Sequence, residues 1–367
     1  MGIRSLISPS SSSIRIPLGE AGRAGWGDRM DPLRKKLNRV VLGPGGEFDL
    51  IRQLVGPEEP LGQGVLVGSG DDCTVLEGGW VVSTDLSVEG VHFRREWVTL
   101  EEAGYRAAAA ALSDLAAMAA EPIGALLSMA LDPLRASSDA LELQRGVAEA
   151  CRVEGIRILG GDMARSPGPL VLDIVVIGRA DSPVLRAGTE VGDELWVTGW
   201  LGGSGAAVAL WKQGSHPPDD LREAFARPRP RIREARWLAG RVPLHGLIDL
   251  SDGLAGDSGH LAAASGLSLV LREASIPLHP ALQGVPGLGD DPLHFPLEGG
   301  EDYELCFTVA PGSLDEWVGS FQDAFGIPLT KVGRATGGTG VFLEAAEGRI
   351  RPLERHGYSH FSGEEEG

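Results

Sequence analysis

The chain has 367 residues, 43% of them hydrophobic and 23% charged, and a formal net charge of −18. This composition supports a large core and about two domains, and it excludes a chain disordered throughout. The acidity excludes functions that rest on direct contact with nucleic-acid phosphates or anionic membranes, so any polyphosphate ligand has to be met through cations.

The three cysteines, Cys73, Cys151 and Cys306, form no CxxC pair, which predicts a reducing, cytoplasmic setting and no disulfide framework or zinc ribbon. No apolar run approaches the roughly 18 residues of a membrane span. Residues 1–44 stand apart. They carry the serine run Ser10 to Ser13 and scattered arginines (Arg4, Arg15, Arg23, Arg29), with no acid before Glu20. An organelle transit peptide has this composition, and so does a disordered tail or a start placed upstream of Met30.

Order is predicted from Glu47, with a short helix to Leu54. Strands follow at Val65–Val67, Thr74–Leu76 and Trp80–Ser83. A long helix runs from Leu100 to about Met118, opened by the capping-box spacing of Thr99 and Glu102. Then come a strand near Ile123–Leu131, a helix near Ser138–Val153, and strands at Ile156–Leu159 and Leu170–Ile177. Arg186–Asp193 reads as a connection between two domains, 45–185 and 186–362. The second opens with a strand at Glu194–Thr198, helices near Gly205–Trp211 and Pro230–Leu238, and a strand at Gly246–Leu250 leading into a helix start. Further strands fit Ser268–Leu271, Tyr303–Val309 and Thr330–Gly333, and residues 279–296, rich in Pro and Gly, read as a loop. The alternation predicts an α/β class with mixed sheets.

The chemistry-bearing signal is dispersed carboxylates. Gly70-Asp71-Asp72 and Ser83-Thr84-Asp85 flank a turn at Gly78-Gly79. A two-residue hairpin there places Glu77 opposite Trp80 and Asp72 opposite Asp85, a like-charge pair that a divalent cation would turn from repulsive to attractive. Solvated aspartates beside a turn fit the same residues. Asp114 sits on an apolar helix face, with Ala110, Ala111, Ala117 and Met118 as its helical neighbours; a carboxylate buried there needs a partner, whereas a solvated position on an alanine-rich helix would fit the same residues. Gly160-Gly161-Asp162 follows a strand, where glycines permit close approach of a phosphate and the aspartate can hold a metal, although an ordinary turn looks alike. In Asp249-Leu250-Ser251-Asp252-Gly253, Ser251 or Asp252 either caps the following helix or sits where open N–H groups favour an anion. The acidic run Glu298 to Glu304 and His92 fit either solvated and packed positions or ligand contacts. No GxxxxGK[ST] loop, HExxH motif or GxSxG elbow occurs. The donors are oxygens, which suit Mg²⁺ rather than zinc.

In order along the chain, Gly46 to Leu50, Gly70 to Asp72, Ser83 to Asp85 with Val88 to Phe93, Leu112 to Met118, Gly160 to Asp162, Ile248 to Leu254, Gly299 to Leu305 and Gly357 to Phe361 resemble the motif set of the thiamine-monophosphate kinases. That family is related to aminoimidazole ribonucleotide synthetase. The resemblance implies a two-domain fold, usually a homodimer paired through its N-terminal sheets, and magnesium-assisted transfer of the terminal phosphoryl group of ATP to thiamine monophosphate. It further implies that Asp72, Ser83, Thr84, Asp85, Asp114, Asp162, Asp249 and Asp252 hold Mg²⁺. Gly161, Arg186 and Ser251 would then contact ATP, and His92, Glu301 and Tyr358 would contact thiamine monophosphate. Two alternatives remain at this level: another ATP-using enzyme of the superfamily, and a non-catalytic nucleotide- or metal-binding protein.

Overall fold

The structure, a computed structural model, describes residues 61–289 and 291–353. The helix expected at Glu47–Leu54 and the substrate residue Tyr358 lie outside the described residues.

The first half is a mixed sheet covered on one face by two helices. Its strands are β1 (Val65–Val67), β2 (Thr74–Leu76), β3 (Trp80–Val88), β4 (Glu121–Leu131), β5 (Ile158–Arg165) and β6 (Val171–Arg179), in spatial order β1-β2-β3-β6-β4-β5. All neighbours are antiparallel except β4 and β5. The alternation of β6 orients the sheet: Leu172, Ile174 and Val176 are buried, while Val171, Asp173, Val175 and Ile177 face the other way and are half exposed. The buried face meets helix α1 (Leu100–Ala117), and α2 (Ala136–Val153) packs on α1. Thr99 and Glu102 form the expected reciprocal cap at the start of α1.

The second half has a seven-stranded sheet in the order β13-β12-β9-β11-β7-β10-β8. These strands are β7 (Glu194–Thr198), β8 (Gly246–Asp249), β9 (Ser268–Arg272), β10 (Leu305–Val309), β11 (Leu329–Thr336), β12 (Gly340–Glu344) and β13 (Ile350–Pro352). Around them lie α3 (Gly203–Lys212), α4 (Asp219–Ala226), α5 (Ile232–Ala239), α6 (Leu254–Ser265), α7 (His294–Glu298) and α8 (Val318–Phe325). Strands β7, β8 and β10 are buried along their whole length, the pattern of strands covered on both faces.

Several sequence expectations need correction. Leu76 pairs with Trp80, so the turn holds Glu77, Gly78 and Gly79, and the register is one residue off the two-residue hairpin. Asp72 precedes β2 and does not face Asp85, whose sheet partner is Ile174. Strand β3 continues to Val88, which puts Thr84 and Asp85 inside the sheet. Gly160-Gly161-Asp162 lies within β5 rather than after it. The segment 279–296 is not wholly irregular, since α7 begins in it. Helices α4 and α8 and strands β12 and β13 carried no expectation.

Candidate active site

Alternation along β3 decides which residues can meet. Val81 and Ser87 are buried toward α1, while Trp80, Thr84 and Leu86 are exposed on the other face. Ser83 and Asp85 share the inward parity. The Ser83 hydroxyl donates to Asp114 Oδ2 on α1 at 2.6 Å and lies 3.1 Å from the Asp72 carbonyl. Asp249 reaches the same point from the end of β8. Asp72, Asp114 and Asp249 each offer a carboxylate oxygen, and the three atoms lie within 4.8 Å of one another.

The electrostatics are those of charges crowded out of water. Burial first, and then repulsion from Asp72, raises Asp249 to about 7; Asp71 is raised to about 7 for the same two reasons. Burial also lifts Asp114 well above the carboxylate range, reinforced by Asp249, Asp85 and Asp72. Asp85 is raised to about 7 by burial, against the pull of the Arg106 cation. One arginine offsets part of this charge. Arg186 grips Asp72 with two nitrogens, at 2.6 and 3.1 Å, and its backbone N–H donates to Asp71 at 3.2 Å.

The donor set suits a hard divalent cation, because it is all oxygen and carries surplus negative charge. A second feature agrees. The fully buried Ser113 hydroxyl lies beside Asp249 and favours its charged form, but among the described residues no acceptor meets it in hydrogen-bond geometry. An ion with its water ligands would supply what the protein does not.

A neighbouring group comprises Asp252, Asp257 and His260, again with one ligand atom each within 4.8 Å. Asp257 Oδ2 accepts the backbone N–H of Asp252 at 3.0 Å. Gly253, not Ser251 or Asp252, occupies the cap position of α6. Its φ is +100°, and a Cβ there would stand 2.7 Å from the Leu297 carbonyl.

The acidic run divides into three roles. Glu304 is buried and held by Arg231 and by the Thr198 hydroxyl at 2.6 Å. Asp302 accepts the Gly202 N–H at 2.8 Å at the start of α3, and burial raises it to about 8. Glu301 remains on the cleft side, its side chain 27% exposed and paired with Arg106. Its N–H donates to the Ser251 carbonyl at 2.8 Å, which ties this loop to the Asp249–Asp252 turn. Glu301 and Tyr303 both have left-handed backbone angles, φ of 60° and 52°. Such strain persists only where surrounding contacts over-determine it, as they do here.

Not every expected residue joins this cleft. The Thr84 hydroxyl donates to Asp173 at 2.6 Å on the far face of the first sheet. Ser128 pairs with both Asp173 and Asp162, so Asp162 shares that far face and is exposed. Gly161 has a packing reason of its own, because a Cβ there would stand 1.7 Å from the Leu127 carbonyl. His92 lies in the loop after β3, its Nδ1 accepting the Val88 N–H at 3.0 Å, so the neutral ring carries its proton on Nε2. Sequence reasoning quoted Asp71 within the Gly70-Asp71-Asp72 motif but gave it no role, and it missed Arg106, Asp257 and His260. Arg106 had a legible signal: it is the one charge in the run Ala103 to Ala111, on a helix buried nearly all round.

A pH dependence follows. The folded, metal-free protein keeps protons on Asp71 and Asp249 up to about 7, whereas an unfolded chain releases them near 3.9. These groups therefore favour the folded state most at low pH, and that contribution is lost as pH rises through about 7. Thermal unfolding in EDTA, between about pH 5 and pH 8, is expected to show the midpoint falling with rising pH, and saturating Mg²⁺ is expected to remove most of the fall.

Comparison with known proteins gives the family of this chain. The model of the N-terminal domain of AIR synthase related proteins matches residues 70–180, and that of their C-terminal domain matches 190–345. The two matches, which together span most of the described fold, define an AIR synthase-related α/β protein. The thiamine-monophosphate kinase of Rhodopirellula baltica is 35% identical over 310 residues, covering 81% of this chain and 92% of that one. The Bacillus subtilis thiamine-monophosphate kinase is 32% identical over 331 residues, covering 86% and 99%. The solved structure of AaThiL complexed with AMPPCP and TMP superposes with a TM-score of 0.74 at 28% identity, covering 87% of this chain and 97% of that one. This chain belongs to the thiamine-monophosphate kinase family.

Proposed function

We propose that the protein transfers the terminal phosphoryl group of ATP to thiamine monophosphate, giving ADP and thiamine diphosphate. The observation that carries this reading is the convergence of Asp72, Asp114 and Asp249, from a loop, a helix and a strand that are distant in sequence. Support comes from the family relation and from the AaThiL complex, which holds an ATP analogue together with TMP.

The chemistry asks little of a protein base. The acceptor is a phosphate with a second pKa of about 6, largely ionised at neutral pH. What has to be overcome is repulsion between two polyanions, and bound Mg²⁺ supplies that neutralisation. The chain's own part is positioning. Asp72, Ser83, Asp85, Asp114, Asp249 and Asp252 would hold the ions, with Thr84 and Asp162 contributing only if their face of the sheet joins the site. Arg186 and Ser251 would meet the nucleotide and Glu301 and Tyr358 the acceptor, with Gly161 and His92 contributing only if their part of the first half joins the site. In-line transfer then follows from geometry and charge, without a phosphoenzyme.

Two coarser expectations have physical support. Trp80, Leu86 and Leu159 are exposed apolar side chains on the face of the first sheet that the helices leave uncovered, a surface that suits pairing with a second copy. No helix among the described residues is long and apolar enough to cross a membrane, and all three cysteines are free and buried, which fits a reducing cytoplasm. The division into domains at residues 185/186 belongs to the same reading.

A coupled assay tests the function. With ATP, Mg²⁺ and thiamine monophosphate, ADP and thiamine diphosphate should appear one for one, and EDTA should stop both. ADP release only with an amidine or selenide acceptor would overturn the substrate, and ATP binding without turnover would overturn the activity.

A further inference from the structure

Arg106 is a buried cation within an alanine-rich helix, 3% exposed, that belongs to the first half of the chain yet makes its hydrogen bonds with the second. One guanidinium nitrogen donates to the Phe225 carbonyl at 2.7 Å, and another pairs with Glu301 Oε1. The guanidinium lies 3.8 Å from the Phe225 ring centroid and 6.0 Å from that of Tyr303. A lysine could not reproduce this arrangement, because a point charge cannot present two forked donors and a flat face together. The same cation is the strongest influence favouring ionised Asp85.

Arg106 engages only one Glu301 oxygen, and Oε2 has no protein partner among the described residues. The loop backbone around it is held in the left-handed region at Glu301 and Tyr303 and anchored to the Ser251 and Leu250 carbonyls. The carboxylate is thus pinned on one side and presented on the other.

We propose that Arg106 is a positioning residue: it fixes Glu301 so that Oε2 faces the cationic ring of the acceptor substrate. This rests on the reading of Glu301 as an acceptor contact. A fixed carboxylate binds a cation without first losing side-chain freedom, so the effect should appear in acceptor affinity and not in nucleotide affinity.

The test is a double-mutant cycle with R106M, E301Q and R106M/E301Q. It reads KM for thiamine monophosphate and for ATP, with near-UV circular dichroism as the check on folding. R106M is expected to raise KM for thiamine monophosphate about tenfold or more, the scale of one lost charge-assisted hydrogen bond, with KM for ATP within about twofold of wild type. In the E301Q background the same change should add less than about twofold. If E301Q leaves KM for thiamine monophosphate unchanged, the reading of Glu301 falls, and the proposal with it. If E301Q raises it and R106M does not, or if the two effects simply add, the proposal alone is overturned. Equal rises in both KM values would mean that Arg106 only holds the two halves together. Should R106M fail to fold, R106K carries the test. It keeps the charge but loses the fork, and a several-fold rise that vanishes in E301Q is required of it.

Discussion

Replacing Asp114 by asparagine is expected to lower kcat by on the order of 10²–10³-fold and, at the same time, to make the metal-free protein more stable. The two effects share a cause. Asp114 is one of three carboxylates whose oxygens lie within 4.8 Å of one another in a buried cleft. At such separations and an effective dielectric near 20, a fully charged pair repels by roughly 3–4 kcal/mol. Protonation and Arg186 relieve part of this, so a rise in the metal-free midpoint of a few degrees is the reasonable expectation. Asparagine keeps the shape and an oxygen able to accept from Ser83, and the Cys73 thiol bonds the Asp114 backbone carbonyl, which the change leaves alone. Mg²⁺ should then stabilise the variant much less than the wild type, since one ligand charge is gone. Steady-state kinetics and thermal unfolding with and without Mg²⁺ check both halves. A variant with normal Mg²⁺ dependence would remove Asp114 from the ion-holding group.

Gly146→Ala should cost about 3 kcal/mol or more, enough to leave little folded protein at elevated temperature. The reason is the contact between α1 and α2. A Cβ on Gly146 would stand 1.8 Å from the Glu101 carbonyl, and one on Gly104 would stand 2.1 Å from the Leu143 carbonyl. The two glycines let the helix backbones touch. Only rigid-body separation could relieve either clash, because the obstructing atoms are backbone. That movement would carry Arg106 and Asp114 with α1, so surviving protein should also lose activity. Propensity alone predicts the opposite, a gain of up to about 1 kcal/mol for Gly→Ala in a helix. Gly319→Ala in α8 is the control: nothing lies within 4 Å of its Cβ position, so it should be neutral or slightly stabilising. Chemical denaturation of the three proteins decides the matter, and a Gly146→Ala variant within about 1 kcal/mol of wild type would refute the close-packing account.

The two glycines show where reading a sequence stops. Nothing local distinguishes Gly146 from Gly319, because the difference lies in what another helix brings to it. The elements with strong local signals were legible. The cap at Thr99 and Glu102, the period of α1, and the apolar runs of β6, β7 and β10 announce themselves through nearest-neighbour chemistry. Helix α4, eight residues after Pro217 and Pro218, and strands β12 and β13, set among glycines and short, had no such signal and owe their form to packing. The turn at Gly78 and Gly79 was visible as a turn, yet its length was set by pairing with β3, and one residue of register moved Asp72 off Asp85.

The sequence alone determined the fold class and the order of the motifs, and its dispersed oxygen donors suited a hard cation, while the transfer chemistry was read from the resemblance to the thiamine-monophosphate kinases. Only tertiary structure decided which acids meet. Strand alternation sends Ser83 and Thr84 to opposite faces of one sheet, joining the first to Asp114 and the second to Asp173. Arg106 was brought to Glu301, 195 positions away, by the packing of one half of the chain on the other. Side-chain period is a local property, whereas the partner across a sheet or cleft is set by long-range burial, and that information is spread over the whole chain.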